Sequence, residues 1–397
     1  MKLRRVVQSD ADILFAWSND SSVRAVSFNS DQITYERHVK WLASRLSSDR
    51  VAMFLGEDSN SFPVGIIRFE RNEKNVSAAV ISITIDPSRR GSGAGRALLQ
   101  LGLDAVFSSG FCSRVIAHVK ESNDVSKRLF ERGGFGSTHL VDSPDIPQSI
   151  SYSIDRVEFW RNVLGESCIA VIPARGGSKR IPGKNIKSFL GKPIIGYSIE
   201  AALGSGLFDR VVVSTDSEEI AKVAQQFGAE VPFVRPAHIA DDFAPLVDVL
   251  IHALVAVQPE SSRYNWLCCL LPTAPSISSN LLVEGFRLMR EKKASGALTV
   301  TSFPSSIFRA FAIGEDGCLS MLWPEHEFTR SNDLKPAYHD AGQLYWINSQ
   351  QLISERKVFV KGAAPIILPR ELVQDIDTPE DWTIAESLLL RHINPNT

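Results

Sequence analysis

Apolar and polar positions along the chain switch between a period of two and a period near 3.6, which predicts an α/β protein of strands and helices in turn. Residues 3–7 read as an opening strand, followed by a helical pattern carrying Ile13, Leu14 and Trp17 and a second, starting at Thr34, that carries Val39, Leu42 and Leu46. Strands are expected at 51–56, 64–68 and 76–85. In the last, Ile81, Ile83 and Ile85 alternate with Ser82 and Thr84, as a half-buried strand requires. A helix at 97–106, a strand at 115–119, a helix opened by Asn123 and closed at Gly133-Gly134, and a strand at 149–154 complete a first set. The remainder patterns differently. The runs at 169–173, 210–213 and 266–271 have no polar face, the mark of buried parallel strands. A shorter strand is expected at 231–234, with helices over 192–202, after Ser217 and over 245–257, the spacing of βαβ units. Between the two sets, Val157, Phe159, Trp160, Val163 and Leu164 make 156–166 a short packed join rather than a floppy linker. Domains are therefore expected at 1–155 and 167–397.

The second set carries its chemistry where its first strand ends. Ala174-Arg175-Gly176-Gly177-Ser178-Lys179-Arg180-Ile181-Pro182-Gly183-Lys184-Asn185 holds three glycines and four cations. Glycines let consecutive backbone N–H groups turn toward one anion, and Arg and Lys neutralise a polyphosphate that amides alone hold weakly. Arg175, Lys179 and Lys184 are the cations expected on a triphosphate. The spacing fits neither a Walker loop nor a dinucleotide fingerprint. A basic surface turn is the plainer reading, but ligands of open α/β sheets bind at this carboxyl edge. Further on, Asp375 and Asp377 stand at i and i+2, where an extended backbone aims both carboxylates at one hard cation. Thr378, Pro379 and Asp381 also read as a helix start, and both readings fit together. Asp216, at the end of the second strand, is either a ligand-facing carboxylate or a helix cap.

Bulk properties narrow the partners. The 397 residues carry 43 Lys+Arg against 45 Asp+Glu, a formal charge of −2 with both signs interspersed. Nothing there points to nucleic acid or a membrane surface. Five cysteines without a Cys-x-x-Cys pair suit a reducing cytoplasm. The start lacks a secretory pattern, and no stretch approaches about 18 apolar residues.

In the first set, Arg90-Gly91-Ser92-Gly93-Ala94-Gly95-Arg96 sits between a strand and the N-terminus of a helix, a place suited to a pyrophosphate. Arg90-x-x-Gly93-x-Gly95, the order of elements, and Asn123 opening the next helix resemble the GCN5-related N-acetyltransferases. The resemblance implies a mixed sheet with helices, acetyl-CoA held by the backbone from Arg90 to Arg96, and Asn123 beside the pantetheine arm. Many members carry a tyrosine seven residues after that asparagine, thought to protonate the leaving thiolate; here it is Phe130. General acid catalysis contributes about 10²–10⁴-fold, so the unit is expected to be slow, to use another acid, or to serve as a docking domain. Glu70 and His118 are base candidates. Trp17-Ser18-Asn19-Asp20, Ser27-Phe28-Asn29-Ser30 and His38-Val39-Lys40-Trp41-Leu42 look most like acetyltransferases acting on a UDP-linked amino sugar, with His38 read either as a substrate contact or as a core residue.

The motif from Ala174 to Asn185, with Asp375-x-Asp377, resembles the CMP-sialic acid synthetase family over about residues 168–390. That implies a Rossmann-like, mostly parallel sheet and transfer of CMP from CTP to a nonulosonic acid. It places Ala174, Gly176, Gly177, Ser178, Asn185, Asp216 and Thr273 at the nucleotide and Mg2+ or Mn2+ on Asp375 and Asp377. A turn enforced by two prolines explains Thr273 nearly as well. The stretches 233–242 and 338–346 look closest to the pseudaminic acid branch, with Arg235, Asp340 and Gln343 on the sugar side; for Asp340 a solvated loop position remains the plainer reading. Residues 303–323 look like the family's dimer region, so a homodimer is expected. The rival reading is a cytidylyltransferase for a legionaminic or neuraminic acid, with a non-catalytic first domain.

Overall fold

The computed structural model describes residues 1–71, 76–143, 146–257 and 264–393. They form two compact units, Met1–Ser167 and Cys168–Thr397. The first is a seven-stranded sheet in the order Lys2–Arg5, Val51–Glu57, Pro63–Arg71, Ala78–Ile85, Arg114–Lys120, Ile146–Asp155, Gly136–Ser143. Every pairing is antiparallel except that of Ala78–Ile85 with Arg114–Lys120, which is parallel and confined to Ala78–Val80 against Arg114–Ile116. Alternation sorts the side chains by face. Met53, Leu55 and Ile66 meet the helices Ala11–Asn19 and Tyr35–Leu46 through Leu14, Trp17 and Leu42. Ile67 and Phe69 meet the helix Ala94–Ser108 on the other face, where a Cβ at Gly102 would lie 2.6 Å from Ile67. Thr34 caps its helix as expected, its Oγ1 accepting from Arg37 N at 3.4 Å. A short helix, Ser21–Val26, was not legible in the pattern because none of its residues is buried. In the stretch expected as the join, Phe159 and Trp160 are buried and Phe159 stands 5.4 Å from Phe107, in the first unit's core.

The second unit's main sheet runs Arg210–Ser214, Cys168–Pro173, Trp266–Leu270, Tyr338–Asn348, Gly296–Ser302, Ala364–Leu368. Five strands share one direction, and Tyr338–Asn348 alone is reversed, antiparallel to both neighbours. The apolar runs are buried on both faces: Ile169, Val171, Val212 and Leu267 pack with the helix Leu246–Val257, and Ala170, Ile172, Val213 and Cys268 are buried on the other. Two expected elements differ. Residues 231–234 form no strand, because Pro232 has no N–H to give and Val234 is exposed; only Glu230 bridges to Val212. The helix expected from 192 begins at Ile195, since Lys192–Pro193 folds back on Ser188–Phe189 as a hairpin.

Candidate active sites

The strand Cys168–Pro173 ends between its two parallel neighbours, so the loop after it opens at the sheet's carboxyl edge. Ala174 is buried and spends its N–H on Ser214 O at 2.9 Å, and buried Asn185 donates to Arg175 O at 3.0 Å. These two residues shape the loop. Gly176 N donates to the Asp216 carboxylate at 2.8 Å, while Ser217 caps the next helix by accepting from Ile220 N at 3.4 Å. Of the two readings of Asp216, the cap falls to its neighbour and Asp216 braces the loop.

The loop walls a cleft of about 570 Å³ with Arg175, Lys179, Lys184, Arg235, Asp242 and Thr273. Its cations already have internal partners. Asp242 meets Arg175 at 2.6 Å and Lys179 at 2.7 Å, and these bonds hold its carboxyl below the usual range. Asp377 meets Arg180 at 2.8 Å and Lys184 at 3.5 Å. Arg235, expected on the sugar side, lies 5 % exposed on the same wall as Arg175, its Nε donating to Ser214 Oγ at 3.1 Å. Burial pushes that guanidinium down to about 10, and its first role is to clip the loop to the strand end.

The carboxylates arrive from about 190 residues further on because the helix Pro379–Ile393 packs against this loop. Ile376, Trp382 and Leu389 bury against Ile181, Phe189 and Ile194, and Lys187 lies 4.5 Å over the Trp382 ring. Lys184 Nζ donates to Ile376 O at 2.6 Å, tying the two segments directly. Asp381 accepts from Thr378 N at 2.8 Å and Asp377 N at 3.1 Å, and Asp381 N returns a bond to Thr378 Oγ1 at 3.2 Å. The helix-start reading therefore holds, and Asp375 and Asp377 lie outside that cap. Water is stripped from the Asp375 carboxyl and Asp377 adds like charge, so its pKa is raised. A cation between the two would relieve that repulsion. Among the described residues no group of three or more His, Cys, Asp or Glu is assembled for a metal, so any ion there takes its remaining ligands from substrate or water.

Beside the carboxylates, the register of Gly296–Ser302 and Tyr338–Asn348 breaks, leaving residues 341–344 opposite Thr299 alone. Gly342, at φ +62, makes that bulge. It turns Gln343 into a small pocket with Thr273 and Asp375. Gln343 is 4 % exposed; its Nε2 donates to Leu372 O at 2.6 Å, while its Oε1 is buried without a partner. Asp340 accepts from Gly342 N at 3.0 Å and from Tyr345 Oη at 2.7 Å, so it stiffens the bulge. Asp242, the partner of Arg175 and Lys179, and Arg180 as the partner of Asp377 were given no role by the sequence reading. Only opposite charge within the two stretches could have paired them.

In the first unit, Gly91 and Gly93 adopt φ +75 and +83, and space is open above both. Gly93 precedes the 15-residue helix Ala94–Ser108, so the loop faces that helix's positive end. Gly95 is set close to Ile85 and Leu129, Arg90 is braced by Asp20 at 3.6 Å, and Arg96 is exposed. Asn123 accepts from Ser126 N at 3.1 Å and caps its helix, which gives it a structural task as well. Phe130 is buried 5.0 Å from Phe135. A cavity of about 370 Å³ lies on the sheet face under Ala11–Asn19 and Tyr35–Leu46. It is lined by His38, whose Nε2–H donates to Ala11 O at 3.1 Å and whose pKa burial lowers. Neither Glu70, paired with Arg45 at 2.9 Å, nor His118, 2.8 Å from Ser151 Oγ, is among the lining residues.

Fold and sites together define a two-domain transferase, one domain built to hold a nucleotide and the other to hold a pyrophosphate-bearing acyl carrier. The chain belongs to the cytidylyltransferase family, whose model matches residues 169–368, and residues 1–136 match the acetyltransferase (GNAT) domain. It is an enzyme with both kinds of domain, and both resemblances drawn from the motifs hold. It is 42% identical over 220 residues to a pseudaminic acid cytidylyltransferase of Campylobacter jejuni subsp. jejuni, spanning 55% of this chain and 95% of that protein. To a CMP-N,N'-diacetyllegionaminic acid synthase of Legionella pneumophila it is 33% identical over 225 residues, 56% of this chain and 95% of the other. A spermidine N-acetyltransferase of Vibrio cholerae, solved with CoA and spermine, covers 40% of this chain and 96% of its own at 18% identity and TM-score 0.37. No helix among the described residues is long and apolar enough to cross a membrane.

Proposed function

We propose that the second unit transfers CMP from CTP to pseudaminic acid and that the first N-acetylates a UDP-linked 4-amino sugar with acetyl-CoA, both in the cytoplasm. The observation that carries the first half is the meeting of a cationic glycine loop and two carboxylates at one sheet edge. Arg175, Lys179 and Lys184 bind and orient the triphosphate, and Gln343, with Thr273, offers its free Oε1 to a sugar hydroxyl. The sugar's anomeric oxygen attacks the α-phosphorus in line, the bond to the β-phosphate oxygen breaks, and pyrophosphate leaves. Asp375 and Asp377 would hold Mg2+ or Mn2+, whose charge stabilises the leaving group. In the first unit the amine nitrogen bonds to the acetyl carbon, the C–S bond breaks, and CoA leaves as its thiol.

Pyrophosphate release by the full-length protein, with CTP, Mg2+ and pseudaminic, legionaminic or N-acetylneuraminic acid, tests the first half. Release with pseudaminic acid alone is expected; release with another acid instead keeps the chemistry and overturns the sugar. A second prediction follows from the internal ion pairs. Asp242 competes with the triphosphate for Arg175 and Lys179, and exposed pairs are worth about 0.2–1 kcal/mol each. Asp242→Asn is therefore expected to lower the KM for CTP by a few fold; a rise would show that the carboxylate serves the bound state instead. The exposed Phe311, Ile313 and Leu319, on the hairpin of Phe311–Ile313 with Leu319–Met321, are the surface we assign to a homodimer. Ile313→Asp should yield monomer in light scattering.

A further inference from the structure

The cavity in the first unit is lined by a guanidinium, that of Arg68, whose buried Nε has no hydrogen-bond partner. Arg68 stands on Pro63–Arg71 and turns with Ile66 toward the face under the two N-terminal helices, while Ile67 and Phe69 go to the opposite face. Its guanidinium is half-buried, 5.3 Å from the Trp41 ring, and its Nε is closed off from solvent without a hydrogen-bond partner. The acid that acts on it, Glu70, is engaged by Arg45 at 2.9 Å. Arg24, on the same lining, bonds Asp31 O at 2.8 Å and Ser27 Oγ at 3.0 Å but also leaves its Nε buried and unpartnered.

A guanidinium keeps its proton at any pH the protein meets, so one held under cover without a counter-charge is unfavourable unless a ligand supplies it. The lining sets Arg24, Arg37 and Arg68 against one carboxylate, Asp31. His38 is buried, gives its Nε2–H to Ala11 O, and has its pKa lowered by that burial. Such a wall repels a polyamine and attracts an anion. Planar guanidinium groups suit phosphate in particular, because two parallel N–H bonds meet two oxygens.

We propose that this cavity takes the acetyl acceptor and that Arg68, with Arg24, binds a phosphate of it, so that the first unit selects a phosphate-bearing primary amine over neutral and cationic ones. The inference rests on the acetyltransferase reading above and adds the residues that read the acceptor's phosphate. Thiol release from acetyl-CoA by the full-length protein is measured with a UDP-linked 4-amino sugar, the same sugar as its methyl glycoside, and spermidine. The UDP-linked amine is expected to be preferred. Arg68→Met should lower its kcat/KM by about 10- to 100-fold, mainly through KM, and close the gap between it and the glycoside; Arg68→Lys should recover part of the loss. A preference for spermidine, or equal losses on both sugars, would overturn the proposal. If no amine is acetylated, the acetyltransferase reading fails by itself. Calorimetry with UDP then decides the anion site: binding weakened in Arg68→Met keeps it, and binding indifferent to Arg68 removes it.

Discussion

Asp377→Ala is expected to lower metal-dependent pyrophosphate release by on the order of 10³-fold, the loss of several kcal/mol of charge stabilisation at about 1.4 kcal/mol per tenfold. The unfolding midpoint should move by no more than about 4 °C. The two effects separate because Asp377 does little for the fold. Its partners are Arg180, whose side chain is 68% exposed, and Lys184, and surface pairs of this kind are worth about 0–1 kcal/mol. The segment is held instead by the Asp377 backbone N–H on Asp381, by Ile376 in the apolar cluster, and by Lys184 on Ile376 O. None of these needs the Asp377 carboxylate. Asp381→Ala makes the reciprocal case: it removes the carboxylate that accepts from Thr378 N and Asp377 N, leaves the Thr378 cap in place, and should cost about 1 kcal/mol of stability. Activity there should fall far less, because both carboxylates proposed to hold the metal remain. Initial rates across a Mg2+ titration, beside thermal unfolding of both variants, check the pair. Full activity in Asp377→Ala would remove the metal assignment.

The contrast shows which parts of the site a sequence can carry. The glycine loop and the Thr378/Asp381 cap are local, each complete within a dozen residues, and each stands where its pattern put it. So are the glycines at 91 and 93 and the Asn123 cap. What the sequence left open depends on long-range register. Asp242 becomes the counter-ion of Arg175 only because the loop after residue 235 returns across the strand ends, where Arg235 clips to Ser214. The bulge presenting Gln343 exists only because two strands about 40 residues apart pair out of step, and no periodicity in either reveals it. The same blindness made 231–234 read as a strand: Val-Pro-Phe-Val has the composition of one, but with Pro232 and an exposed Val234 it pairs nowhere, and only Glu230 before it bridges to Val212.

Trp346→Ala is expected to cost the second unit about 3–5 kcal/mol, a large part of the roughly 5–15 kcal/mol that holds a domain together. The side chain is 1% exposed on the reversed strand Tyr338–Asn348, stacked 5.3 Å from Phe208 and set 5.3 Å from Phe286. The helix Ser279–Lys292 comes so close that a Cβ at Gly285 would lie 3.1 Å from the indole. A hole there cannot easily be filled, since Gly285 has no side chain to move in and both aromatic neighbours are themselves buried. Trp346→Phe separates packing from polarity. Indole Nε1 is buried without a hydrogen-bond partner, so its removal gives up no bond and relieves an unmet donor. The phenylalanine should then cost well under half of what alanine does. Urea unfolding followed by far-UV circular dichroism measures both. Equal losses would show that Nε1 has a partner in solution, and that the register carrying Gln343, three residues back on the same strand, is fixed by a hydrogen bond rather than by packing.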